Sequence, residues 1–205
     1  TLYRQMKNQI ICQIQRIGKY LLLKVPKGAM LLHLGMSGRV SLRDTMSPKE
    51  KHTHATFQFG QKVFLHFIDP RRFGCILWVP HSGKHSLLDN LGPDPFSTEA
   101  NPDALKARAK NCKSPIKTFI MDSRRITGVG NIYACESLFQ AGINPKRKAG
   151  LITFSEWERL LSCIRSTLEN SIAAGGTTLR DFFEPSGKKG YYALKLSVYG
   201  KEGKP

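Results

Sequence analysis

The sequence predicts an α+β protein, an antiparallel β-sandwich or barrel followed by a helical domain. Three observations carry this expectation. Up to about residue 90 the chain is a succession of short segments rich in β-branched and aromatic residues, each bounded by turn residues. At Leu91-Gly-Pro-Asp-Pro95 the breakers cluster, and beyond them apolar residues recur with helical period. With 205 residues, 40% of them hydrophobic, the chain can bury one large core or two small ones. The expected division is a sandwich domain over 1–90 and a helical domain over 91–205.

Strands are expected at Ile10–Ile17, Tyr20–Val25, Ala29–His33, Arg39–Leu42, Thr56–Phe59, Val63–Ile68 and Cys75–Val79, with turns at Pro26-Lys-Gly28 and Gly60-Gln61. Alternation through Phe57-Gln58-Phe59 suits half-buried antiparallel strands. In the second half, Asn101-Pro102 supplies an N-cap with proline in the first helical position for a helix to about Lys110, and Ser114-Pro115 does the same for Ile116–Met121. A third helix is expected from Ile132 to about Ala141. The fourth opens with a Ser155-x-x-Glu158 capping box and aligns Trp157, Leu160, Leu161, Ile164, Leu168 and Ile172 on one face, ending at Gly175-Gly176.

Charge narrows the partner. Thirty-two Lys and Arg stand against 15 Asp and Glu, a formal net charge of +17, so an acidic polymer or anionic surface is expected, nucleic acid first. The longest apolar runs, such as Tyr20–Leu23 and Ala29–Leu32, fall far short of the roughly 20 residues of a membrane span, and there is no signal-peptide pattern. The five cysteines, Cys12, Cys75, Cys112, Cys135 and Cys163, are scattered, odd in number and without a Cys-x-x-Cys pair. They read as reduced, mostly buried thiols of a cytoplasmic protein, not as a disulfide framework or zinc site. His52 and His54 lack companions at ligand spacing, so no metal is expected in this chain.

Three loops carry the candidate chemistry. Within Met121–Phe139, Gly128 and Gly130 are expected to take positive φ before a helix whose free N–H groups, with Asn131, suit an anion; a plain helix cap is the alternative. His33-Leu-Gly-Met-Ser-Gly38 sets Met36 between glycines, and Asp69-Pro-Arg-Arg-Phe-Gly74 sets Arg71, Arg72 and Phe73 in a bounded turn. Basic and apolar loop tips can grip phosphates and wedge between stacked bases. Equally, Met36 and Phe73 can be core plugs beside a solvated arginine edge.

These loops, together with Gly18-Lys-Tyr-Leu-Leu-Leu23, Gly128-Val-Gly-Asn-Ile-Tyr-Ala134, Gly175-Gly-Thr-Thr-Leu-Arg-Asp-Phe182 and Val198-Tyr-Gly200, resemble in order and spacing the motifs of bacterial formamidopyrimidine-DNA glycosylase over essentially the whole chain. The resemblance implies a helix-two-turn-helix domain and base-excision repair of duplex DNA carrying oxidised purines, 8-oxoguanine and formamidopyrimidines, by base flipping and β,δ-elimination. By the same resemblance Met36, Arg71 and Phe73 fill the void, Arg71 facing the estranged cytosine. Lys19, His33, His52, Lys113, Lys117, Gly130, Asn131 and Tyr199 approach the phosphates, and Lys19 donates the proton of β-elimination. Thr177, Thr178, Leu179, Arg180 and Asp181 lie in the loop that caps the extruded base.

The family's chemistry also uses an N-terminal Pro-Glu pair and a four-cysteine zinc finger. The resemblance places Thr1 inside the family pattern and Pro205 before the finger. The chain is therefore expected to be a core piece that binds DNA without catalysing, with zinc expected in the intact protein. It is expected to act as a cytoplasmic, nucleoid-associated monomer. The alternative is a non-catalytic DNA-binding module.

Overall fold

Seven antiparallel strands form two sheets in the first part of the chain. The structure is a computed structural model that describes residues 1–44, 50–177 and 192–203. A short helix α1 (Leu2–Met6) precedes β1 (Gln13–Ile17), β2 (Tyr20–Val25), β3 (Gly28–His33), β4 (Arg39–Arg43), β5 (Thr53–Phe59), β6 (Val63–Ile68) and β7 (Cys75–Pro80). One sheet has the order β1-β2-β3-β7 and the other β4-β6-β5. Tight turns set the register. The loop between the paired ends Ile17 and Tyr20 is only Gly18-Lys19, with φ of 58° at Gly18, the glycine-first hairpin geometry that matches strand twist.

The sandwich expectation holds. Leu23, Met30 and Leu32 of the first sheet share a core with Phe67 of the second, and Val40, Phe57, Phe59 and Ile76 pack around it. Leu2 and Met6 of α1, an element not expected from the sequence, add to the same core. The first strand begins at Gln13, later than expected: Ile10 is exposed, and the preceding segment is tied to β2 through the Cys12 N–H, which donates to Lys24 O at 2.9 Å.

The helical part comprises α2 (Pro102–Ala109), α3 (Ile116–Met121), α4 (Asn131–Gln140) and α5 (Phe154–Ala173), with 3-10 turns at Ala149–Leu151 and Tyr192–Lys195. Its core centres on the fully buried Trp157, which meets Phe119 edge-on at 5.6 Å between ring centroids, with Leu105, Ile116, Ile120, Leu138, Leu160 and Ile164 around them. Asn101 caps α2 as expected, its side chain accepting from the Ala104 N–H.

Three local expectations are corrected. The capping box of α5 is Thr153-x-x-Glu156, not Ser155-x-x-Glu158. Thr153 Oγ1 accepts from the Glu156 N–H and Glu156 Oε2 accepts from the Thr153 N–H at 2.8 Å. Pro115 occupies the cap position of α3 and Ser114 does not cap it; instead the first N–H groups, of Ile116 and Lys117, donate to the carbonyls of Arg147 and Pro145. On α5 the apolar stripe does not reach Ile172, which is 69% exposed; Thr167 and Ser171 turn inward there, Ser171 Oγ lying 2.9 Å from the Tyr133 hydroxyl.

The chain divides into two compact units, Thr1–Lys84 with Ala173–Leu194, and His85–Ile172 with Lys195–Pro205. After α5 the chain turns at Gly175 and Gly176, both with positive φ, and Gly176 O accepts from the Tyr192 N–H at 3.2 Å. Among the described residues no helix is long and apolar enough to cross a membrane.

Candidate nucleic-acid interface

In the first unit the 33–38 and 69–74 loops are joined through one carboxylate. Asp69 is fully buried. Its Oδ1 accepts from Ser37 Oγ at 2.8 Å and its Oδ2 from the Gly74 N–H at 2.7 Å. Ser37 Oγ in turn accepts from the Arg71 N–H at 3.2 Å. Burial alone would raise the Asp69 pKa, but the hydrogen bonds from Gly74, Ser37 and the Arg71 and Arg72 backbones outweigh it and hold the carboxyl below its ordinary value. Close approach seals the joint. A Cβ on Gly35 would lie 2.6 Å from the Phe73 carbonyl carbon, and one on Gly74 would lie 2.6 Å from His33 O, so neither position admits a side chain.

The joined loops present their large side chains to solvent. Met36 is 59% and Phe73 57% exposed, which excludes the core-plug reading. Arg71 lies over the Phe73 ring at 5.0 Å from its centroid. His52 is exposed beside them, with φ of 69°, and its carbonyl accepts from the Asp69 N–H at 3.1 Å.

Lys19 and His33 lie at the same end of the first sheet, Lys19 in the β1–β2 turn and His33 opposite Tyr20 in register, their rings 5.0 Å apart. Lys19 keeps access to solvent, yet partial desolvation of its ammonium by the surrounding protein lowers its pKa. Desolvation, reinforced by the Lys19 charge, also lowers that of His33. The Gly35 N–H donates to His33 Nδ1 at 3.3 Å, so the neutral ring carries its proton on Nε2 as a donor.

In the second unit Lys117, Asn131 and Tyr199 line one groove of about 650 Å³, with Phe139 and Pro145. Gly130, the cap residue of α4, is extended at φ −107°, while Gly128 alone takes the positive φ expected of both, 88°. No side chain caps α4. Lys113 is exposed on the segment before α3. Tyr199 is positioned by a residue that sequence reasoning missed: Glu136, buried on α4, whose carboxylate accepts the N–H groups of Ser197, Val198 and Tyr199 at 2.7, 3.0 and 2.9 Å. A lone glutamate in the apolar run of a helix was the available signal.

Of the capping-loop residues only Thr177 lies among the described residues, and it is buried; Thr178, Leu179, Arg180 and Asp181 lie outside them. Cys12 is exposed and the other four cysteines are half-buried, against the expectation of mostly buried thiols, since each sits at an element edge or on a helix flank. Among the described residues no three His, Cys, Asp or Glu side chains converge on a metal position.

Residues 1–76 match the formamidopyrimidine-DNA glycosylase N-terminal domain, and residues 91–183 match the formamidopyrimidine-DNA glycosylase H2TH domain. The formamidopyrimidine-DNA glycosylase of Acidithiobacillus ferrooxidans is 45% identical over 201 residues, covering 98% of this chain and 74% of the relative. The chain belongs to the formamidopyrimidine-DNA glycosylase family. Solved members share its fold. MutM in complex with carbocyclic 8-oxo-G containing DNA superposes with a TM-score of 0.88 at 28% identity, over 98% of this chain and 74% of that one. The complex of Lactococcus lactis Fpg with abasic-site DNA gives the same values. As a glycosylase-family chain, it combines an antiparallel sandwich with an H2TH domain, as the sequence predicted.

Proposed function

We propose that this chain grips duplex DNA at an oxidised purine and fills the space left by the flipped base, in base-excision repair by a formamidopyrimidine-DNA glycosylase with AP-lyase activity. The observation that carries the reading is the pair of loops holding Met36, Arg71 and Phe73 in solvent above one buried carboxylate, Asp69. Taking a base out of the stack costs a few kcal/mol. A wedge offsets that only if it keeps its shape under load, and exposed apolar tips on a hydrogen-bonded base meet that condition. Arg71, held over Phe73, presents guanidinium donors to the base left unpaired.

Lys19 suits the proton donor of β-elimination, because a lowered ammonium pKa brings its proton closer to transfer near neutral pH. His33 and His52 in the first unit, and Lys113, Lys117, Gly130, Asn131 and Tyr199 in the second, serve as phosphate contacts. The open N–H groups at the start of α4 and the lysine charges hold position without reading sequence. By the family resemblance, Thr177 to Asp181 are assigned to capping the extruded base. Zinc does not fit the described residues: the cysteines are dispersed and no donor set forms, so no step here runs through a metal. We infer a cytoplasmic protein that acts as a monomer on one damaged duplex, a reading supported by duplex DNA as its partner.

Fluorescence anisotropy tests this reading with duplexes that differ only in one site: 8-oxoguanine opposite cytosine, an abasic analogue, or guanine. Preference for the two damaged duplexes is expected, and it should vanish in a Met36→Ala, Phe73→Ala double variant. Equal affinity of the wild type for all three duplexes would sink the proposal.

A further inference from the structure

The function above uses Lys113 and Lys117 but leaves unused Lys146 and Lys148, which share a basic ribbon with them in the second unit. Residues 112–117 and 145–150 run antiparallel, with Pro115 and Lys148 bridged. The Ile116 and Lys117 N–H groups donate to the Arg147 and Pro145 carbonyls at 2.7 and 3.3 Å, and the Ala149 and Gly150 N–H groups donate to Ser114 and Cys112 at 2.9 and 3.0 Å. Four backbone hydrogen bonds therefore fix the two segments to each other about a single bridge.

The side chains of this ribbon divide by their partners. Arg147 pairs through two guanidinium nitrogens with Glu156. Lys146 and Lys148 are exposed. Across the bridge, Lys113 and Lys117 stand two residues before and after Pro115, Lys117 already within α3. The bridge thus brings two lysine-bearing stretches, distant in sequence, next to each other, and Glu156 beside them is engaged by Arg147. Among the described residues none of the four lysines forms an ion pair; the ion pairs there belong to arginines. Lys117 and Pro145 also line the groove that contains Asn131 and Tyr199, so the ribbon continues directly from that groove.

We propose that Lys146 and Lys148 bind backbone phosphates of the duplex beyond those held at the groove, extending the footprint away from the damaged nucleotide. This rests on the reading of the chain as a duplex-DNA binder. Exposed like charges on neighbouring segments repel in the free protein, and a polyanion relieves that repulsion while releasing its own counterions. A backbone-locked base keeps the lysines at fixed spacing, so the ribbon acts as a track and not as a set of independent tails. It carries no sequence or lesion information.

The test is equilibrium binding of Lys146→Ala, Lys148→Ala to matched damaged and undamaged duplexes between 50 and 200 mM KCl. With two phosphate contacts removed, the slope of log K against log salt is expected to become shallower by about 1.8, equally on both duplexes, and binding at 0.1 M salt to weaken by about tenfold or more. Preference for damaged DNA should be unchanged. Lys146→Arg, Lys148→Arg should retain the wild-type slope, and a melt of both variants matching the wild type excludes misfolding as the cause. An unchanged slope in the alanine variant would overturn the ribbon, as would a loss confined to the damaged duplex. A wild type without salt-dependent binding would overturn the duplex reading and the ribbon together; a steep wild-type slope retained by the alanine variant would overturn the ribbon alone.

Discussion

Ser37 Oγ donates to Asp69 Oδ1 at 2.8 Å across 32 residues of sequence, and this bond joins the loop of Met36 to the loop of Arg71 and Phe73. The carboxylate has no solvent to fall back on, and it is ionised because four donors stabilise its charge. Asp69→Ala leaves the Gly74 N–H and the Ser37 hydroxyl without their acceptor and is expected to destabilise the protein by about 2–3 kcal/mol. Its larger consequence is loss of preference for damaged over intact duplex, because the three tips no longer move as one. Urea unfolding and parallel anisotropy titrations separate the two effects; full lesion preference in a folded Asp69→Ala protein would refute the coupling.

Phe73 behaves oppositely. Already 57% exposed, it contributes little to the fold. Phe73→Ala should change stability by no more than about 0.5 kcal/mol, yet weaken binding to an abasic-site duplex by about 1–3 kcal/mol, the worth of a base–aromatic stack. Thermal melts and titrations on the same preparation check the contrast.

Glu136 acts through Tyr199. Three N–H groups converge on its buried carboxylate, so Glu136→Ala should cost about 3 kcal/mol of stability and release the 197–199 segment. Coupling is the sharper measurement. If Glu136 serves binding only by placing Tyr199, the effects of Glu136→Ala and Tyr199→Ala on duplex affinity should not add, whereas independent sites would add within about 0.5 kcal/mol.

Acid should attack the second unit at α5. The Glu156 carboxyl is lowered from 4.5 to about 2 by hydrogen bonds from Arg147 first and then from the Thr153 backbone. A depressed carboxyl stabilises fully above its unfolded pKa, and the contribution is lost as pH falls through the folded one, here from about 4.5 down to about 2. Glu156→Gln should therefore lower stability at pH 7 and flatten its fall across that window. Chemical denaturation at pH 7, 4 and 3 reads both, and an identical pH profile in the variant would contradict the assignment.

Much of this molecule is legible locally. Strand segments such as Val63–Ile68, the Asn101 cap and the turn glycines are decided by neighbours in sequence, because steric restriction at φ and the satisfaction of nearby N–H groups act over a few residues. The α5 cap was misread by two positions for the same local reason. Two serine or threonine candidates precede two glutamates there, and Arg147, lying outside the helix but bonded to Glu156, accompanies the box that forms.

The sequence by itself determined most strand and helix segments, though not α1, together with the basic character and the family motifs. Only the tertiary structure decided what those motifs do physically. Met36 and Phe73 have the same composition whether buried or exposed; a carboxylate at Asp69, reached by Ser37 from one loop and Gly74 from the other, is what holds them outward. Glu136 and the lysines of the ribbon are likewise unremarkable in sequence, since hydrogen-bond partners 61 to 63 residues away and a bridge between 115 and 148 create their environments. Burial and charge convergence are properties of chain segments brought together in space, and a linear pattern records only one side of each such meeting.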